Sequence, residues 1–378
     1  MSRIANSELR FSDEQAMIMK AAREFCKGKS PIPSVRELLN TDTGFDSKLW
    51  SEITELGWMG IAIPEEFGGI GMDIGSLVPI SENMGRHMFS TPFFSANLVA
   101  QALLRAGKET QKKLWLPRLA DGAFAALALL DNEDWGAENI ECIATESGGQ
   151  LVLTGIKSFV LDAGVAELFI VSLDYQGTPA LAIVNREQLP EDAISRQTLI
   201  DETKRAFKVD FSGVVVEKTA LLDLTKSESA LRDLKLIGAL LTAAEATGSA
   251  AAALDNMVQY LKIRKQFGKP IGSYQALKYP AVGALIQMEH ARNLIYHAAT
   301  IVGGDSFDAD MEIACRMAKV QAVEALIFVG DRNVQFHGGM GFTYDCDAQL
   351  FIRRAQWSQQ QFGDAHHHRK RLASLLLD

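Results

Sequence analysis

Cysteine is scarce in this chain: Cys26, Cys142, Cys315 and Cys346 are its four cysteines in 378 residues, widely separated and never in a CxxC pair. That spacing excludes a disulfide framework and a zinc ribbon, and leaves reduced structural thiols as the expectation. Positive charge is also short. Thirty-eight Lys and Arg stand against 47 Asp and Glu, a net charge of −9, and the basic clusters are brief ones at 264–265 and 369–371. With no basic stripe along the chain, a nucleic-acid partner is excluded. No run approaches the ~18 consecutive apolar residues of a membrane span, and the opening MSRIANSELRFSDEQ has no apolar signal-peptide core. These absences lead to the expectation of a cytoplasmic protein with no membrane insertion.

What is present is enough apolar sequence for two or three cores, 47% hydrophobic residues in an ordinary charged background. Residues 1–122 read as a helical domain. FSDEQ is a capping signal with Ser12 as N-cap and Gln15 three residues on, ahead of Ala16, Ile18, Met19, Ala22 and Phe25. Over 123–225 the pattern changes to short β-branched and aromatic runs, CIATES, QLVLTG, SFVL, LFIVSL, ALAIVN and GVVVEK, separated by turns such as SGG and DYQG. This predicts a small antiparallel β domain. Residues 226–378 are helical again, with one long helix, then helices over 274–302 and 309–336 and two shorter ones from about Ala348 and Ala365, an up-and-down bundle. The fold class is therefore mainly α with a central β domain.

The long helix carries the chemistry. Apolar or small residues recur at Leu234, Ile237, Leu241, Ala244, Gly248, Ala251, Leu254, Val258 and Leu261, the stripe of an amphipathic helix with one buried face. Glu245 interrupts it. Its helical neighbours Leu241, Thr242, Gly248 and Ser249 supply no counter-charge. An unpaired carboxylate in such a wall has its pKa raised towards the range of a general base; the other reading is a structural ion pair with an Arg or Lys from another helix, such as Arg292 or Arg316. The run AHHHRKR (365–371) is not a metal site, because consecutive helical residues point about 100° apart, and it reads as a solvated or anion-facing surface. TYDCD (343–347) lacks the glycine spacing of a calcium loop and reads as a helix start.

AAEATG followed by RKQFGKPIGSYQALK resembles the first long C-terminal-domain helix of the acyl-CoA dehydrogenase flavoproteins. ELGWMGIAIPEEFGGIGM (55–72), ENMGR (82–86), the 107–122 segment with WLPRLADG, TGIKSFVLDAGVAELFIVS (154–172) and VQFHGGMGFTYDCD (334–347) are similar to that family in the same order, over nearly the whole chain. The resemblance implies FAD as cofactor. It places the ADP half of the cofactor against Arg264, Phe267, Gln275, Gln335, Gly338 and Gly339, a set used chiefly by the neighbouring subunit, and the flavin ring against the segments at Leu130 and Phe159. The family's hydroxyl-bearing turn and strand at those two places are LDN and FVL here, without the hydroxyls, so backbone contacts and the Phe159 ring are left to do the holding. The IPEEFGGIGM loop falls near the entrance of the family's acyl pocket.

The implied reaction removes the α-proton of an acyl-CoA with a carboxylate, passes the β-hydride to flavin, and yields a trans-2-enoyl-CoA as a step of fatty-acid or steroid side-chain β-oxidation. The electrons leave through an electron-transfer flavoprotein. The position that holds the catalytic Glu in many members is Phe362, whose backbone N–H remains available to polarise a thioester. Glu245 is the expected substitute base. The rival expectation is a partner subunit with little catalysis of its own, completing the FAD site of a homologous chain in an α2β2 tetramer. Either way the chain is expected to work as an oligomer, homomeric or heteromeric.

Overall fold

The computed structural model describes residues 13–136 and 139–377. The Ser12 cap lies outside them, and α1 starts at Asp13. Six helices open the chain: α1 (Asp13–Lys29), α2 (Ile32–Leu38), α3 (Ser47–Glu55), α4 (Val78–Arg86), α5 (Phe93–Ala106) and α6 (Glu109–Ala120). Nine strands follow: β1 (Ala125–Ala128), β2 (Ile143–Ser147), β3 (Gln150–Thr154), β4 (Ile156–Leu161), β5 (Leu168–Tyr175), β6 (Thr178–Asn185), β7 (Ile194–Gln197), β8 (Ala206–Asp210) and β9 (Val215–Glu217). The C-terminal part holds α7 (Leu224–Ile263), a two-stranded ribbon β10 (Lys265–Gln266) and β11 (Lys269–Pro270), and then α8 (Gln275–Ile301), α9 (Ala309–His337), α10 (Ala348–Gln360) and α11 (Ala365–Leu377).

The middle domain holds a six-stranded mixed sheet and a three-stranded antiparallel sheet, β4-β8-β7, rather than the wholly antiparallel arrangement expected. β2–β3, β3–β9, β5–β6, β4–β8 and β7–β8 are antiparallel, but β1 and β2 both run parallel to β5. The physical reason is the entry of the chain: β1 comes straight from α6, and residues 129–167 must cross over before β5 returns beside it in the same direction. A register shift in β4 between Lys157 and Val160 marks a bulge, and Phe159 sits in it with φ 50°, a left-handed value uncommon for an aromatic residue. β7 and β8 escaped the sequence pattern because ISRQ and AFKVD show little alternation of burial.

α7 is the axis of the molecule. Its 40 residues span about 60 Å. Asp223 caps it, accepting from the Thr225 N–H at 2.9 Å. The expected single buried stripe is wrong for its middle: every residue from Leu236 to Ala251 is buried, because α4, α5, α8, α9 and α10 pack around it. By length and composition α7 passes as a membrane span, yet this stretch lies inside the protein as a core helix. Glycines set the closest crossing. A Cβ on Gly248 would stand 1.8 Å from the Glu82 carbonyl oxygen, and one on Gly85 would stand 2.0 Å from that of Glu245, so α4 and α7 touch backbone to backbone. Ser249 Oγ donates to the Gly85 carbonyl across the crossing at 2.9 Å.

The four cysteines are free and buried, and no group of His, Cys, Asp and Glu among the described residues has the arrangement of a metal site. His368 departs from the solvated reading of AHHHRKR. It is 1% exposed, with Nδ1 at 3.2 Å from the Arg316 guanidinium, because α11 lays that face on α9. A methyl group at the α4–α7 crossing has nowhere to go, so Gly248→Ala is expected to destabilise the fold by about 2–4 kcal/mol, read as a lower urea midpoint with unchanged slope.

Candidate functional site

Glu245 is doubly paired. Its carboxylate Oε1 accepts from Arg354 of α10 at 2.8 Å and from the Lys204 ammonium at 2.5 Å. Arg354, wholly buried, also donates through Nε to Asp201 and through its second terminal nitrogen to Thr203 Oγ1. Burial alone pushes the Glu245 carboxyl up; Arg354 and Lys204 together outweigh it and hold the group below the usual carboxylate range. The expectation of an unpaired, raised-pKa base is therefore corrected. The two arginines offered as alternative partners are engaged elsewhere, Arg292 with Glu82 and Glu289, and Arg316 with Glu312.

The Phe159 side of the crevice between the β domain and the bundle is filled by the chain itself. Ser158 N–H donates to the Leu130 carbonyl at 2.7 Å, and Phe159 N–H donates to Gln197 Oε1 at 2.7 Å. Both backbone groups expected to hold a ring are thus spent internally. The Phe159 ring stands edge-on to Trp357, centroids 6.0 Å apart. Phe362, with φ 56°, packs its ring on Trp135 at 4.4 Å and Phe94 at 5.7 Å, and it fills the space above Gly238. Between these side chains a cavity of about 20 Å³ remains, lined by Phe94, Leu129, Trp135, Phe159, Leu161 and Phe362 among others, and no carboxylate lines it. That holds one water, against the several hundred Å³ of a ligand pocket. The thioester expected at the Phe362 N–H has no room in this cavity. On the other side of the Phe362–Trp135 wall a cleft of about 730 Å³ opens between the β-domain segments 129–136 and 139–140 and α7, α9 and α11, lined by Leu130 and Phe362 among others.

A second set of residues faces outward. Arg264 ends α7; the ribbon then turns through Phe267 and Gly268, both at positive φ, a primed two-residue turn that leaves Phe267 90% exposed. Gln275 opens α8, and Gln335 closes α9 before Gly338 at φ 63°. His337 stacks on Tyr260 at 4.1 Å, which brings the end of α9 to the end of α7. The side chains of Arg264, Gln275 and Gln335 are exposed. A Cβ on Gly338 or Gly339 would meet nothing within 4 Å, so open space lies in front of them. Around this corner Ile263, Tyr279, Val282, Met340 and Phe342 expose apolar surface.

The sequence reading missed the 201–205 loop, Arg354, Gln197, and the buried Lys157–Asp131 pair at 2.7 Å beneath Leu130. The RRAQW run was a possible signal for Arg354, since its outward neighbour Arg353 cannot share its direction; nothing in the loop sequence announced Asp201 or Lys204.

Comparison with known proteins bears on this arrangement. The acyl-CoA dehydrogenase N-terminal domain model matches residues 12–123, and the C-terminal domain model matches residues 236–377. Acyl-CoA dehydrogenase FadE12 of Mycobacterium tuberculosis is 30% identical over 330 residues, covering 82% of each chain. The chain belongs to the acyl-CoA dehydrogenase family. Among solved structures, butyryl-CoA dehydrogenase from Megasphaera elsdenii has a TM-score of 0.86 at 25% identity, covering 98% of this chain and 100% of that one. A variant of the Tcur3481-Tcur3483 steroid ACAD has a TM-score of 0.84 at 25% identity, covering 96% and 97%. The fold is that of the acyl-CoA dehydrogenases, oxidoreductases whose cofactor, and that of this chain, is FAD.

The two halves answer differently to that cofactor. The outward set fits its ADP half: an arginine fork for the pyrophosphate, an apolar face at Phe267, two amides, and a glycine loop open to close approach. On the Phe159 side the ring does not fit, since the Phe159 N–H is capped and the cavity beside it has the volume of a water.

The Glu245 pairing has a pH signature. A depressed carboxyl adds stability that is fully present above its unfolded pKa of 4.5 and is lost as pH falls through the lower folded value. Glu245→Gln is thus expected to cost about 3 kcal/mol at pH 7, with the deficit shrinking below pH ~4.5, checked by urea unfolding at pH 7 and pH 4. A base of raised pKa would show its change near neutrality instead.

Proposed function

We propose that this chain is the flavin-completing subunit of a mixed acyl-CoA dehydrogenase, in which a homologous chain supplies the ring-side pocket and the proton-abstracting carboxylate. The assembly as a whole converts an acyl-CoA to a trans-2-enoyl-CoA and hands the electrons to an electron-transfer flavoprotein. FAD supplies the hydride acceptor. This chain's own part is binding: Arg264 pairs with the pyrophosphate, Gln275 and Gln335 offer amide hydrogen bonds, Phe267 covers the neighbouring apolar surface, and Gly338 and Gly339 let the backbone come near.

One observation carries the reading. The outward residues of the cofactor site are built and open, while the inward cavity of the same chain is reduced to about 20 Å³ with Phe362 in place of a carboxylate. Glu245 cannot take the missing role, because a carboxylate bonded to both Arg354 and Lys204 is too weak a proton acceptor for an α-C–H. Asp162, pushed up to about 6 by burial, is bonded to Ser95 Oγ at 2.6 Å behind the cavity wall rather than in it. The two-component name of the Tcur3481-Tcur3483 relative agrees with a mixed assembly.

Coexpression with a homologous chain whose hydroxyl-bearing flavin turn is intact is expected to give a yellow complex with one FAD per pair of chains, whereas this chain purified alone is colourless. In the complex, Arg264→Ala lowers FAD affinity at least tenfold, as the loss of a charge-assisted pyrophosphate contact requires. A lone chain that carries one FAD and reduces it with an acyl-CoA would overturn the proposal.

A further inference from the structure

The loop between β7 and β8 touches every part of the molecule. From its start Gln197 caps the Phe159 N–H. Asp201 and Thr203 receive the Arg354 guanidinium from α10, and Lys204 reaches Glu245 on α7. Arg205, 3% exposed, turns the other way: its terminal nitrogen donates to the carbonyls of Leu38, Leu39 and Thr41 at 2.9, 3.0 and 2.7 Å, closing the C-terminal end of α2. The Asp162 N–H donates to the Arg205 carbonyl at 3.0 Å, which ties the loop back to the bulged strand. A single segment therefore bonds the N-terminal helices, the β domain and the bundle.

Its charges balance. Asp201 and Glu245 oppose Arg354 and Lys204, two of each sign, and Thr203 Oγ1 takes a further guanidinium hydrogen while it donates to Asp201 at 2.7 Å. A buried network is stable when every member is satisfied, and strongly destabilised when one member is removed. We propose that this loop is a resident plug: it holds the Phe159 side of the crevice between the β domain and the bundle shut, so that this chain keeps its domain arrangement with no flavin ring of its own. The inference rests on the partner-subunit reading above and adds its cause. The ring is excluded by a built closure, and the lost hydroxyls are only part of the reason.

The test uses the isolated full-length chain. In the wild type, the Thr203 and Lys204 amides, both bonded to Asp201, exchange slowly, trypsin does not cut after Lys204 or Arg205, and FAD at roughly a hundredfold excess over a micromolar dissociation constant leaves the melting temperature unchanged, where a bound ring would raise it by several degrees. In Glu245→Gln the same amides exchange at least tenfold faster and trypsin cuts there, while amides of the β5–β6 pair keep their wild-type rates. Should that variant fail to fold, Lys204→Met, which leaves Arg354 with both carboxylates, is expected to show the same loosening in smaller measure. Wild-type loop amides that exchange as fast as an exposed turn, variants with unchanged loop exchange, or a wild-type melting temperature raised by FAD would each overturn the plug. Failure of the partner-subunit reading appears elsewhere, as absence of flavin from the complex with a homologous chain.

Discussion

The constraint on which the structure depends is the backbone contact between α4 and α7. Gly85 and Gly248 let two helices meet with no side chain between them, and the rest of the bundle then closes around α7 until sixteen consecutive residues, Leu236 to Ala251, have no surface. Small residues in that stretch are a consequence of close crossing rather than of a binding wall. An ionisable side chain placed there faces a desolvation cost of several kcal/mol unless the fold brings a counter-charge to it. Glu245 lies next to the crossing, so its partners have to come from other elements.

They come from two directions, Arg354 from α10 and Lys204 from the β7–β8 loop, and this decides the chemistry of the group. Desolvation raises a carboxyl's pKa and adjacent cations lower it, so the balance turns on how many cations arrive and how near they stand. Two within 2.8 Å overcome full burial. The same contacts draw the β domain onto the bundle. What they deny to catalysis they supply to the arrangement of the domains.

The sequence carried the fold further than it carried the site. Helices α8 and α9 were legible nearly to the residue, and α10 and α11 by their starts, because their apolar spacing is regular and Gly lies between them. The parallel partners of β5 were not, since pairing direction depends on where the chain re-enters the sheet, and β7 and β8 are too polar to announce themselves. Glu245 was legible as an anomaly and, as one of two readings, as an ion pair, but its partners were not: they are 41 and 109 residues away in sequence, and helix spacing reports only neighbours three and four places off. The outward set Arg264, Phe267, Gln275, Gln335, Gly338 and Gly339 was legible as a motif; the stacking of Tyr260 on His337 that joins its two parts was not.

That outward corner also explains why a chain with a filled crevice keeps the rest of a cofactor site. Holding Phe267 at positive φ on an exposed turn costs backbone strain and leaves an aromatic ring 90% exposed, with only an edge contact to Tyr274 at 6.4 Å to offset it. Gly338 at φ 63° beside open space is likewise unneeded for internal packing. Features that are unfavourable within one chain become favourable when a second surface covers them and brings an anion to Arg264. The Phe159 side of the crevice shows the opposite economy, with the Phe159 N–H satisfied by Gln197 and the cavity closed by its own aromatic rings. A cofactor that spans two subunits needs one chain to supply its inward half and the other its outward half, and in the proposed assembly this chain supplies the outward one.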